Sequence, residues 1–284
     1  MYTQRQSEAL NIVMDFTAGL SLLGCLFIIL VYLFFKELRV FAFKLVLHMT
    51  VCDSIRCVGF LLVHADKSLC EVQAVLIQAG SLGSILWNGV IARTLYLSVV
   101  KDMRGVENTE LKYTALVYTV TLVLTGLPWT TLSYGDSDGW CWIKGEHGDY
   151  LAGNIWRAVC LYFPLLLVTL NNLYSYYHII RTLRQGFAHP EITSLVHKLR
   201  FYPVILIMCY ICALLKRIYN LVKPDVDDFP FALVAALTLG SIGLVDAVIY
   251  GFTQSVRVVI KQRLCPKGDS RSASSLSEGG INFI

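Results

Sequence analysis

The chain has 284 residues, 56% of them hydrophobic and 15% charged, with a mean hydropathy of +0.60 and a formal net charge of +4. A soluble domain carries about 25% charged residues, and one of this length has no core large enough for so much apolar sequence. A modest positive charge that is grouped between apolar runs is not the broad basic surface of a nucleic-acid binder.

The apolar residues fall into runs of about 20, the length at which a helix crosses a bilayer. In chain order the runs predict spans at 10–35, 43–64, 70–100, 111–134, 149–180, 199–222 and 229–254. The first begins near Leu10 without a basic leader and extends to Phe35, so it reads as a span rather than a cleaved signal peptide. The third and fifth exceed what a bilayer needs at ~1.5 Å per residue and are expected to tilt or protrude. The loops are short, which favours antiparallel neighbours. Barrel-type alternation is absent, and so are paired broken helices. The expected fold is an all-α membrane protein, a seven-transmembrane helix bundle over residues 1–265. After the seventh span, "SVRVVIKQRLC" alternates apolar and basic residues and predicts a short amphipathic helix at 255–265 along the inner surface. Cys265 ends it, either palmitoylated or unmodified. Residues 266–284 are serine-rich and expected to form a disordered cytoplasmic tail, its serines either phosphorylated or simply solvated.

Lysine and arginine set the orientation. Fifteen of the 24 lie in the loops 36–44, 101–112 and 181–200 and in the tail, whereas Arg5, Lys67, Lys144 and Lys223 make up the opposite set. The basic set belongs in the cytoplasm, with the N-terminus outside. The 135–149 loop, "GWCWIKGEHGD" at its core, is then extracellular, where disulfides persist. Of the nine cysteines, six lie in apolar runs and Cys265 is cytoplasmic. That leaves Cys70, at the outer end of the third span, as the partner expected for Cys141, the alternative being two free thiols. Trp140 and Trp142 then belong either to a pinned lid or to the membrane interface.

The remaining cations lie inside spans, where a charge costs at least ~2.5 kcal/mol at mid-helix and faces the bundle interior. Asp53, Arg56, Arg93 and Asp246 form an inner set, and the spacing of three puts Asp53 and Arg56 on one helix face. The set is either a polar switch whose pairing differs between signalling states or a static network. Arg157, Lys216 and Arg217 form an outer set, with Trp156 and Asn220 as neighbours. Cations beside aromatic rings suit a small anionic ligand, such as a cyclic nucleotide phosphate with its base on a ring. The alternative is snorkelling to headgroups or pairing with loop acids.

Several stretches resemble the cyclic-AMP receptor-like (class E) family of seven-helix G-protein-coupled receptors: "SILWNGVIA" at 84–92, "GLPW" at 126–129, "CWI" at 141–143, "YFPLLLVTLNN" at 162–172, "KLRFYPVILIMCY" at 198–210, "KRIYN" at 216–220 and "GLVDAVIYG" at 243–251. The resemblance runs over most of residues 10–265. It implies a plasma-membrane receptor, without catalysis or cofactor, that couples an extracellular small molecule to a heterotrimeric G protein. Asp246 and Lys216 depart from the family pattern, which has asparagines there. The third span ends "YLSVVKDMR", without the Asp-Arg-Tyr triplet of rhodopsin-like receptors. The basic inner loops suit either a G-protein helix or anionic lipid, and Pro128, Pro164 and Pro203 are candidate kinks.

The alternative function is a seven-helix transporter or channel for a small solute. A retinal protein is disfavoured because 229–254 holds no lysine for a Schiff base. An intramembrane protease is disfavoured because neither Asp53 nor Asp246 lies in a GxGD setting. No metal site is expected.

Overall fold

Thr3 opens the first helix through a reciprocal cap: its Oγ1 accepts from Gln6 N at 3.3 Å, while its own N–H donates to Gln6 Oε1 at 2.8 Å. The computed structural model describes residues 3–62, 67–103, 105–137, 140–144, 150–185, 209–216, 218–219, 229–251 and 254–264. In chain order these form α1 (Gln4–Phe34), α2 (Phe41–Leu61), α3 (Lys67–Val99), α4 (Glu110–Gly126), β1 (Tyr134–Asp136), β2 (Cys141–Ile143), α5 (Tyr150–Arg157), α6 (Phe163–Arg184), α7 (Phe229–Gly251) and α8 (Gln254–Leu264). Short 3-10 turns precede α2 and α4 and follow α4, and one π-helical turn, Ala158–Tyr162, joins α5 to α6. Residues 209–216 are helical as well.

Five helical stretches are long and apolar enough to cross a membrane: Gln4–Phe34, Ser68–Val99, Val106–Thr131, Ala152–Arg184 and Phe229–Gly251. They account for five of the seven expected spans. The second, α2, is a helix of 21 residues, set apart from those five by three charged residues, Lys44, Asp53 and Arg56. The sixth expected span lies mostly outside the described residues, as do Pro203, Cys265 and the tail. The fourth ends earlier than expected. Helix gives way to a 3-10 turn at Leu127, and by Tyr134 the chain is a strand. The hairpin β1–β2 is likewise absent from the sequence reading. It pairs Tyr134 with Ile143 and Asp136 with Cys141 in antiparallel register.

α3 is the central helix, buried over most of its length, whereas α4 is the most peripheral. α3 packs on α2, α4, α6 and the hairpin, and α1 packs between α2 and α7. Close approach of α2 and α3 depends on Gly80: a Cβ there would lie 2.5 Å from Arg56 N and 2.7 Å from Cys52 O. In an apolar medium interhelical polar contacts and small residues replace the hydrophobic drive. Asn172 Nδ2 donates to Asn88 Oδ1 at 2.7 Å, joining α6 to α3, and Leu244 N donates to Ser21 Oγ at 3.1 Å, joining α7 to α1. Large apolar side chains such as Phe16, Leu23, Leu122 and Leu166 project outward, which is the surface a bilayer requires. α8 docks back on the loop after α1. Val256 packs with Val31 and Leu38, and Arg263 Nη2 meets Glu37 Oε1 at 2.7 Å.

Candidate functional site

The hairpin is fixed to the helices by one covalent and several polar bonds. Cys70, in the first turns of α3, and Cys141 form a disulfide, with Cα atoms 5.3 Å apart. One helical turn on from Cys70, Gln73 Oε1 accepts from Cys141 N at 3.2 Å, and its Nε2 donates to Leu62 O at 3.1 Å. Gln78 reaches both the hairpin and the fifth-span helix: its Oε1 accepts from Trp142 Nε1 at 2.8 Å, and its Nε2 donates to Cys160 O at 3.0 Å. That carbonyl needs a donor because Pro164, four residues on, has no N–H to return to it. The same local chemistry gives the π turn, a break in helical register common beside functional sites. At the other end Pro128 cannot make the 3-10 bond to Thr125 O, and Tyr134 Oη donates to that carbonyl at 2.7 Å. Burial pushes the Tyr134 phenol above its usual range, which keeps it a donor.

Arg157 belongs to this scaffold. Its Nε donates to Ile143 O at 2.7 Å, Nη2 to Ser137 Oγ at 2.8 Å and Nη1 to Asn154 Oδ1 at 3.3 Å, and the guanidinium sits 5.7 Å from the Trp142 ring centre. In this arrangement the donors of Arg157, expected beside a ligand, hold the hairpin. Trp156 donates through Nε1 to Thr131 Oγ1 at 2.8 Å, and so braces the end of the fourth span.

Beneath the hairpin lies a cavity. Trp140 and Trp142 form its ceiling. Phe60, Ile77, Leu161 and Leu239 are among its apolar walls, with Ser81, Tyr162, Tyr210 and Lys216. It is narrow, with a volume of about 30 Å³, room for a water or two. Lys216 is 1% exposed, and its Nζ lies 5.1 Å from the centre of the Trp140 ring, within cation–π range. Lys216 is thus the member of the outer set that the structure brings to the cavity. Arg217 and Asn220 lie outside the described residues.

The cavity floor meets the inner set. Asp53 and Arg56 are fully buried and paired, Nη2 to Oδ1 at 3.0 Å, one helical turn apart on α2. Asp246, on α7, is buried as well. Arg56 Nη1 faces Tyr210 Oη at 3.5 Å. Arg93 does not join them: it is exposed and stacks 5.1 Å over the Tyr96 ring, because its position on α3 faces away from α2. Sequence reasoning missed Gln73, Gln78, Ser81, Tyr162 and Tyr210. The glutamines carry a signal, polar amides in an otherwise apolar span. Ser81 and the tyrosines carry none without a register between helices.

A helical membrane protein with a disulfide-pinned hairpin over an interior cavity has the build of a membrane receptor. The family model described as slime mold cyclic AMP receptor matches residues 1–264, and the chain belongs to that family. It is 30% identical over 263 residues to G-protein coupled receptor 1 of Arabidopsis thaliana, covering 87% of this chain and 79% of that one. It is 22% identical over 258 residues to cyclic AMP receptor-like protein A of Dictyostelium discoideum, covering 89% and 67%. It is also 30% identical over 168 residues to human G-protein coupled receptor 157, covering 53% and 50%.

Proposed function

We propose that the chain is a seven-helix G-protein-coupled receptor of the plasma membrane, its N-terminus outside. A small extracellular ligand enters beneath the hairpin, and a heterotrimeric G protein is engaged by the basic inner loops. The observation that carries this reading is a shared boundary: Tyr210 lines the cavity, and its hydroxyl also meets Arg56 of the Arg56–Asp53 pair. A ligand that displaces Tyr210 changes what Arg56 can contact, which is the differential interaction a switch requires. Lys216 is the anchor for an anionic ligand, with Arg217 and Asn220 from the same stretch of sequence. The Asp53, Arg56 and Asp246 cluster is the element whose pairing changes.

The test is guanine-nucleotide exchange on heterotrimeric G proteins in purified membranes, driven by a panel of small molecules that includes cyclic AMP. Ligand-stimulated exchange supports the receptor. Solute flux without exchange, measured in liposomes, supports the transporter or channel instead.

A further inference from the structure

α3 carries one arginine that the bundle does not enclose. Arg93 is exposed between two buried neighbours, Ala92 and Thr94. Its guanidinium rests on the Tyr96 ring, 5.1 Å from the centre, and the ion pairs among the described residues all lie elsewhere. The neighbouring helices fix which way it faces. A Cβ on Gly89 would lie 3.1 Å from Val168 of α6, and one on Gly83 would lie 3.8 Å from Thr121 of α4. At ~100° per residue, Arg93 sits about 40° past Gly89 and about 80° short of Gly83, in the groove between α6 and α4. It is turned about 160° from Ile77, which faces the cavity. That groove opens to lipid, at the end of the bundle away from the hairpin.

The α6 wall of the groove is a stripe of rings that ends in a second arginine. Tyr174, Tyr177, His178 and Arg181 recur at the spacing of one helix face. The Tyr96 ring lies 5.6 Å from Tyr174 and 6.0 Å from His178, and Tyr174, Tyr177 and Arg181 are exposed. Arg93 is roughly 9 Å along the axis from the end of α3 at Val99, a depth from which a long side chain reaches the headgroup layer, where tyrosine also collects. We infer that this groove binds an acidic phospholipid, its phosphate on the Arg93 guanidinium and its glycerol region against Tyr174 and Tyr177. A planar guanidinium meets phosphate oxygens through two parallel hydrogen bonds. Arg181, one turn beyond Tyr177, adds a second positive charge that a zwitterionic headgroup, with a cation of its own, does not match. The occupant is a lipid because the exposed face of a spanning helix meets acyl chains, which a soluble anion lacks. On the orientation proposed above, this end lies in the cytoplasmic leaflet, which carries acidic lipid. The inference itself requires only that α3 and α6 cross the bilayer.

The experiment uses the full-length chain in detergent micelles, read by native mass spectrometry. The probes are phosphatidylglycerol and phosphatidylcholine with the same acyl chains. The first phosphatidylglycerol is expected to bind about tenfold more tightly than phosphatidylcholine. Arg93→Gln brings the two to parity. Lys36→Gln, which removes an exposed charge at the same end of the bundle but after α1, leaves the preference unchanged. On the unaltered chain, a phosphatidylglycerol with a diazirine near its glycerol is expected to label 93–99 and 174–181, a result that stands even if the Arg93 variant fails to fold. Equal binding of the two lipids overturns the inference and leaves Arg93 a snorkelling side chain. A preference that survives Arg93→Gln, an equal loss in Lys36→Gln, or labelling spread evenly around the bundle overturns it too. So does displacement of the labelled lipid by glycerol 3-phosphate as readily as by phosphatidylglycerol, since the site would then take a free phosphate.

Discussion

Trp142 and Gln78 meet at 2.8 Å, and through Gln78 the hairpin is joined to the carbonyl that Pro164 leaves for another donor. One amide therefore satisfies a donor on the hairpin and an acceptor on the fifth-span helix, both buried. Gln78→Leu keeps the volume and removes both bonds. Each orphaned buried group costs ~1–3 kcal/mol, so the variant is expected to melt several degrees lower in detergent, with the disulfide intact. Unchanged melting would mean that water replaces the amide.

The Cys70–Cys141 bond closes a loop with a sequence separation of 71, for which chain entropy gives roughly 4 kcal/mol. Cys141→Ser, Cys70→Ser and the double variant should lose the same amount of surface expression and thermal stability, because each breaks the same bond. A double variant markedly worse than either single would show that the cysteines contribute separately.

Arg157→Ala should act as a lid variant rather than a ligand-contact variant. It leaves Ile143 O and Ser137 Oγ without the guanidinium donors that reach them, so melting temperature and hairpin hydrogen exchange change first. Arg157→Lys is not expected to rescue, since an ammonium does not span the three directions that the planar fork covers. Loss of ligand affinity at unchanged stability would return Arg157 to the binding surface.

The buried charges predict unequal effects. Asp53→Asn removes the direct partner of a fully buried guanidinium, a change that costs about 3–5 kcal/mol and should abolish surface expression. Asp246→Asn leaves that ion pair in place and should express normally while altering basal and ligand-driven exchange. Normal exchange from normally expressed Asp246→Asn would reduce the cluster to a static brace.

Where α8 docks on the loop after α1, hydrogen bonding from Arg263 holds the Glu37 carboxyl below the usual carboxylate range. A depressed carboxylate contributes stability above its unfolded value of about 4.3 and loses it as the pH falls through the lower folded value. Docking of α8 should therefore be constant at neutral pH and weaken only below about pH 4. Because both side chains are largely exposed, salt should weaken it too. Glu37→Gln should remove both dependences in a spin-label distance measurement between α8 and the loop.

Five of the expected spans were legible from run length, and the disulfide from charge asymmetry joined to elimination among cysteines. Both depend on one-dimensional patterns that the membrane imposes. The hairpin was not legible, because three-residue strands carry no usable periodicity. The fate of individual cations was not legible either. Arg56, Arg93 and Arg157 look alike in sequence, each a single charge in an apolar run. Which of them pairs, faces outward or braces a loop depends on helix rotation, and rotation is fixed by contacts such as Gly80 against Arg56 N.

Tyr210 belongs to two compartments at once, with its ring against the cavity and its hydroxyl toward Arg56. It works as a party wall: the upper room is enlarged only by moving a side chain that the lower room leans on. A void this narrow gives no spare volume to absorb a guest in place. Any occupant larger than water must therefore displace its surroundings, and Tyr210 stands where that displacement reaches Arg56.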